Sequence, residues 1–182
     1  MKTTMDTIEL TSIMEALCKK TLFLGVLASD QLPKNLCYGL PACVIINTHD
    51  STQPGEHWLA AYINDSDHVC FFDSFGHSPD SLLFPPTIYA FLKKAGTRVL
   101  FSNMQVQDYT SITCGEHCVF FLYHMLRGLN FEDTMLKYSD CLIKNDHMVS
   151  LFVKKLQRRK HSCNELTCIQ HAQPLTRYLY KC

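Results

Sequence analysis

Four residues in this chain could together carry thiol chemistry, and they occur in the order His57, Asp73, Gln107, Cys114. They stand in Gly55-Glu56-His57-Trp58, in Phe71-Phe72-Asp73-Ser74-Phe75-Gly76, and in Gln107-Asp108-Tyr109-Thr110-Ser111-Ile112-Thr113-Cys114-Gly115. Hydrolysis by a thiol needs a nucleophile, a base that activates it, a group that orients the base, and a donor for the oxyanion. Cys114 would supply the sulfur and His57 the base. Asp73 would hold the imidazole tautomer and stabilise its charged form. The Gln107 amide and the backbone N–H of Cys114 would face the developing oxyanion. Among nine histidines and ten cysteines no single one carries weight; the order and the surroundings do.

The elements around these residues position them. Trp58–Ile63 and His68–Asp73 are aromatic and β-branched runs separated by Asn64-Asp65-Ser66-Asp67, which is strong turn chemistry. The pattern predicts a β-hairpin with His57 at the entry of its first strand and Asp73 at the exit of its second. Antiparallel pairing brings those two ends to one edge of a sheet. Gln107–Thr113 is polar and irregular, and a strongly apolar helix follows from Cys114 to Leu126. Cys114 therefore opens a helix, where free amides and the helix dipole favour a thiolate. Gly115 would let a substrate backbone come close, Trp58 would wall the site against water, and Cys118, one turn on, reads as a core residue.

Elsewhere, Asp6–Lys20 reads as a helix with an Asp6/Glu9 capping box, closed by Lys19 and Lys20. Ala42–Asn47 reads as a buried strand, Thr87–Ala95 as a helix after Pro85-Pro86, Arg98–Met104 as a strand, and Asp146–Arg159 as a helix. A loop region with Pro33 and Pro41 leads to Ala42–Asn47, and the C-terminal tail is of mixed polarity and shows no pattern.

Length and composition are those of one globular domain over residues 1–182. The formal net charge is zero, so no overall field draws the chain to nucleic acid or to a membrane. Cysteines such as Cys43 and Cys70 lie within apolar runs, and Met1–Lys20 is amphipathic and unlike a signal peptide. Together these predict a reduced, intracellular protein that is not secreted, does not enter membranes and acts as a monomer.

At these residues the chain resembles the adenovirus maturation protease (adenain) family, in the clan of ubiquitin-like-protein (SUMO) cysteine proteases. The matching stretches are Phe23-Leu24-Gly25, Ile45-Ile46-Asn47-Thr48, Gly55-Glu56-His57-Trp58, Phe72-Asp73-Ser74-Phe75-Gly76, and Gln107 spaced to Cys114-Gly115 with Cys118 beyond. The resemblance covers about residues 8 to 126. It implies an α+β fold with a mixed or antiparallel central sheet flanked by helices, and the nucleophile at the N-terminus of a central buried helix. It implies an endopeptidase that cleaves viral precursor proteins beside small residues such as Gly, in the virion and in the host nucleus or cytoplasm. It also implies DNA and a disulfide-linked viral peptide as activators, with no cofactor required for the chemistry itself.

Three departures stand out. The acid is Asp73, where adenoviral members usually carry Glu and the SUMO side of the clan carries Asp. The chain is neutral, its one basic cluster being Lys154-Lys155 with Arg158-Arg159-Lys160. Thr97–Met104, ahead of Gln107, holds no Cys to join an activator peptide.

Other readings remain. A protease acting on ubiquitin-like conjugates would share the fold and the preference for Gly. Zinc could be held by His161, Cys163, Cys168 and His171, though these lack a paired Cys-x-x-Cys. Cys114, His117 and Cys118 could ligate a metal, which would leave Asp73 and Gln107 without a role. A non-catalytic scaffold would be expected to have lost at least one of the four site residues.

Overall fold

In the computed structural model, which describes residues 5–34, 39–65 and 67–170 and side chains as far as residue 158, the first element is helix α1 (Thr7–Leu17). Its start is as the sequence predicts: Asp6 accepts from the Glu9 N–H, and the Glu9 carboxylate accepts from that of Asp6. Its end is earlier than predicted. Cys18 caps the helix through its N–H to the Met14 carbonyl, so Lys19 and Lys20 lie beyond it.

Five strands follow in one mixed sheet: β1 (Leu22–Ala28), β2 (Ala42–Asn47), β3 (Trp58–Ile63), β4 (His68–Phe72) and β5 (Arg98–Leu100). They lie in sequence order, with β1 parallel to β2, β2–β3 and β3–β4 antiparallel, and β4 parallel to β5. The predicted hairpin is β3–β4. Its turn is held by the Asp65 carboxylate, which accepts from the N–H groups of Asp67 and His68.

Two strands depart from expectation. β1 stands where the sequence shows only the approach to a loop with Pro33 and Pro41; its apolar run contains Gly25, which sits at φ 123° where the register with β2 shifts. β5 stops at Leu100, short of the predicted Met104, because the chain turns from the sheet to pack on Gly76. A Cβ there would lie 2.7 Å from the Asn103 carbonyl oxygen.

The remaining helices are α2 (Pro86–Ala95), α3 (Cys114–Met125), α4 (Phe131–Met135) and α5 (Leu142–Gln170). The short α4, N-capped by Asn130, carries no long periodic pattern and was not predicted. α5 begins four residues before Asp146, because its first turns carry Lys144, Asn145, Asp146 and His147 rather than an apolar stripe.

The sheet buries both faces. Cys43, Ile45, Ala60, Tyr62, Cys70 and Phe72 pack on one side with α1, α3, α4 and α5. Val44, Ile46, Leu59, Ile63 and Phe71 pack on the other with Ile88, Phe91 and Leu92 of α2. Each such large apolar side chain contributes about 1.5–3 kcal/mol by leaving water. The central layer is therefore a rigid platform, and α3, buried along most of its length, crosses it. This is the mixed α+β architecture with helices on both flanks that the resemblance implied. Among the described residues no helix is long and apolar enough to cross a membrane.

Candidate active site

The hairpin delivers His57 and Asp73 as its pairing predicts. His57 precedes β3, Asp73 follows β4, and Nε2 of His57 lies 2.6 Å from Oδ1 of Asp73. The approach to His57 is set by Asn47 at the end of β2, whose Oδ1 accepts from the N–H groups of His49 and Glu56. Gly55 there takes φ 88°, and a Cβ would stand 2.9 Å from the Asn47 amide nitrogen. The His-Trp stretch thus needs both the buried Asn47 and a glycine before it.

Asp73 is buried, with 4% of its surface exposed, and its oxygens are saturated with donors. Oδ1 accepts from His57 and from the Phe75 N–H. Oδ2 accepts from the N–H of His77 and from its ring Nδ1 at 2.7 Å. Burial alone would raise the Asp73 pKa, but the His57 bond and charge and the Phe75 and His77 amides outweigh it and hold it below the usual carboxylate value. An ionised acid only accepts, so His57 donates from Nε2, and Nδ1 is left for Cys114. For His57, burial pulls the pKa down most strongly. Against it, the hydrogen bonds to Asp73 and Cys114, with the attraction of both groups, carry it up to about 9.

Cys114 is the first residue of α3 and is 6% exposed. Thr113 does not cap that helix with its side chain. Its hydroxyl instead donates to Asp146 Oδ1 at 2.7 Å, leaving the first amides of α3 without a side-chain cap beside the sulfur. The same Oδ1 lies 2.8 Å from Nε2 of the buried His117, and Oδ2 accepts from the Asp108 N–H. Asp146 on α5 therefore clamps both ends of the 108–113 loop to the Cys helix. The attraction of His117 and these donors hold its carboxylate pKa down against the burial that would raise it.

Gln107 is 1% exposed. Its backbone N–H donates to the Ser74 carbonyl, and its Oε1 accepts from Ser74 Oγ at 2.6 Å. Its Nε2 donates to the Ser111 carbonyl at 3.2 Å, which fixes the orientation of the amide because a carbonyl can only accept. One Nε2 hydrogen remains for another acceptor. Since Ser74 follows Asp73 directly, the acid and the amide are held by neighbouring residues.

A groove of about 360 Å³ opens onto Cys114, lined by Met5, Val26, Ala28, Gln53, Gly55 and Trp58 among others. Trp58 walls it and donates from its indole N–H to the Met5 carbonyl. On the other side of His57, Phe75 stacks on the imidazole at 4.9 Å and on the exposed Tyr109 at 5.5 Å.

Gly115 corrects one expectation. It is buried, and a Cβ would meet Met5, Leu10 and Trp58 within 3.1–3.4 Å, so it admits α1 and Trp58 rather than a substrate backbone. Cys118 packs in the core with its thiol 3.3 Å from the Trp58 carbonyl, and burial pushes its pKa far up. His117 turns to Asp146. The side chains of His161, Cys163 and Cys168, and all of His171, lie outside the described residues, as do the side chains of Arg159 and Lys160; Lys154, Lys155 and Arg158 are exposed on α5.

The sequence reading missed Ser74, His77, Asn47 and Asp146 as organising residues. Ser74 and Asn47 stood inside the quoted motifs without a role. In sequence Asp146 reads as a helix start, and His77 directly follows the Phe72–Gly76 motif, four residues from the Asp73 it holds.

The adenovirus endoprotease family profile matches residues 23–166. A protease of human adenovirus B serotype 3 is 32% identical over 114 residues, a stretch covering 56% of this chain and 49% of the relative. The chain thus spans about half the length of that curated relative. The crystal structure of the ASFV pS273R protease shares the fold, with a TM-score of 0.58 at 12% identity over 79% of this chain and 65% of that one.

Proposed function

The chain belongs to the adenovirus endoprotease family, and from that we propose that it is a viral cysteine endopeptidase that cleaves precursor structural proteins during virion maturation. The observation that supports this best is the 2.6 Å contact of His57 with Asp73, joined to Cys114 at the start of α3 and the mouth of a groove. In this reading the resting site is a thiolate–imidazolium pair, with His57 holding the proton and Asp73 balancing its charge.

The thiolate of Cys114 attacks the scissile carbonyl carbon. The carbonyl oxygen takes the negative charge and accepts from the remaining Nε2 hydrogen of Gln107 and from the Cys114 N–H. His57 passes its proton to the leaving amine as the C–N bond breaks, leaving a thioester. Water, deprotonated by the neutral His57, then releases the acid and restores the pair. The steps use side chains and water alone.

Substrates are precursor proteins with Gly or another small residue near the cut, met in the particle and in the host nucleus or cytoplasm. An activating peptide or DNA remains part of the proposal by family membership. The direct test is cleavage of a virion precursor by the purified protein, lost in Cys114→Ala and His57→Ala variants that melt at the wild-type temperature. Wild-type cleavage surviving in Cys114→Ala would overturn the assignment.

A second reading is supported by the identity of the acid: Asp73, as on the ubiquitin-like-protein side of the clan. Under it the substrate is a folded ubiquitin-like conjugate. Assaying such a conjugate beside a short Gly-containing peptide separates the two.

A further inference from the structure

The end of α1 and the middle of the sheet meet at two thiols. Cys18, the residue that caps α1, places its Sγ 3.6 Å from the Sγ of Cys43 in β2. Cys43 is fully buried, whereas Cys18 is half-buried, so one member of the pair is reachable from solvent. The two sulfurs are unequal. A hydrogen bond from the Cys43 thiol pulls the Cys18 pKa down against partial burial, while the same bond and then burial push Cys43 up. A sulfur reachable from solvent, 3.6 Å from a buried thiol that can resolve it, is the arrangement that two-electron thiol oxidation requires.

We propose that Cys18 and Cys43 form a reversible redox site that takes a hydroperoxide or a small disulfide and closes to an intramolecular disulfide between α1 and β2. With a hydroperoxide, the Cys18 sulfur attacks the O–O bond, becomes a sulfenic acid and releases water or an alcohol. The Cys43 sulfur then displaces the sulfenic oxygen as a second water. Two thiols lose two electrons and the O–O bond accepts them. With oxidised glutathione, Cys18 forms the mixed disulfide and releases one glutathione thiol, and Cys43 displaces the second. Free glutathione in a reducing compartment reverses the reaction.

The site is separate from the candidate nucleophile. Met5, Asp6 and Thr7, at the opposite end of α1, line the groove beside Cys114. Closing the pair fastens the far end of the helix whose near end forms the groove wall. The cross-link joins residues 25 apart in sequence, and constraining a loop of that size raises the melting temperature by roughly 5–10 °C for a chain of this length.

The test needs no substrate. The full chain carrying Cys114→Ser is treated with oxidised glutathione, free thiols are alkylated, and linked peptides are located by mass spectrometry. The expected result is a Cys18–Cys43 linkage, a raised melting temperature, and loss of both on adding dithiothreitol. Cys18→Ser and, separately, Cys43→Ala remove the linkage and the thermal shift. The proposal is overturned if, on alkylation in denaturant, Cys18 and Cys43 are both recovered as free thiols although the exposed Cys141 carries glutathione, or if Cys18 links to a different cysteine. Because the readout is linkage and melting, its failure is distinct from any failure of the protease assignment.

Discussion

The carboxylate of Asp73 lies between two imidazoles. Nε2 of His57 is 2.6 Å from Oδ1, and Nδ1 of His77 is 2.7 Å from Oδ2. Both rings must donate, because both oxygens belong to an ionised acid. His77 also donates its backbone N–H to Oδ2, so one residue pins that oxygen twice and turns the other toward His57.

Removing the His77 ring should therefore loosen Asp73 without touching the groove. His77→Ala is expected to lower kcat by roughly 3–10-fold at unchanged KM. His77→Asn, whose side-chain amide can reach from the position of Nδ1, should recover most of it. A KM effect shared equally by both variants would place His77 in substrate binding instead.

His57 makes stability depend on pH. Its folded pKa, about 9, lies above the ordinary 6.5. The protonated ring therefore stabilises the fold fully below about 6.5, and that contribution is lost as pH rises through 9. Melting temperature should fall between pH 6.5 and 9 in the wild type, and His57→Gln should flatten that slope. An unchanged slope in the variant would assign the pH dependence to other groups.

Gln107 and Ser74 should differ in degree. Gln107→Ala removes an oxyanion donor and is expected to cost roughly 10²–10³ in kcat. Ser74→Ala leaves the amide in place but takes away the hydroxyl that holds its oxygen, so a smaller loss, roughly tenfold, is expected. Equal losses in single-turnover assays would mean that Ser74 does more than hold Gln107.

Gly76 should be intolerant of any side chain. It takes φ 77°, and a Cβ would stand 2.7–2.9 Å from the Asn103 and Met104 backbone. Gly76→Ala should cost at least about 2 kcal/mol in urea unfolding. It should also lower activity, because the chain packed on Gly76 leads directly to Gln107.

How far the sequence discloses the molecule depends on how local each signal is. The hairpin was legible because its turn, its aromatic and β-branched runs and the residues at its two ends all lie within His57–Asp73. The α3 start was legible because a polar loop ends at Cys114 and apolar residues then recur at helical spacing, with Cys118, Phe121, Leu122 and Met125 on one face. β1 was hidden by Gly25, whose positive φ accommodates a register shift rather than ending a strand. α5 began earlier than its apolar stripe because Asp146 and Asn145 serve the 106–113 loop; Asn145 donates to the Val106 carbonyl. Gly115 reads in sequence as a place for substrate because its contacts, Met5, Leu10 and Trp58, come from distant stretches. The contacts of Ser74, His77 and Asp146 are likewise partnerships across the fold or around a turn, and residue type alone does not announce them.

The central claim is that Cys114 and His57 form one reactive pair. It is tested most directly by alkylating the reduced protein with iodoacetamide near neutral pH and timing each site by mass spectrometry, with His57→Ala beside it. Cys114 is 6% exposed and Cys141 is exposed, so access alone would favour Cys141. The pair predicts the opposite: Cys114 labels first, and the advantage disappears in His57→Ala. Labelling of Cys114 no faster than Cys141, or equally fast without His57, would contradict the account.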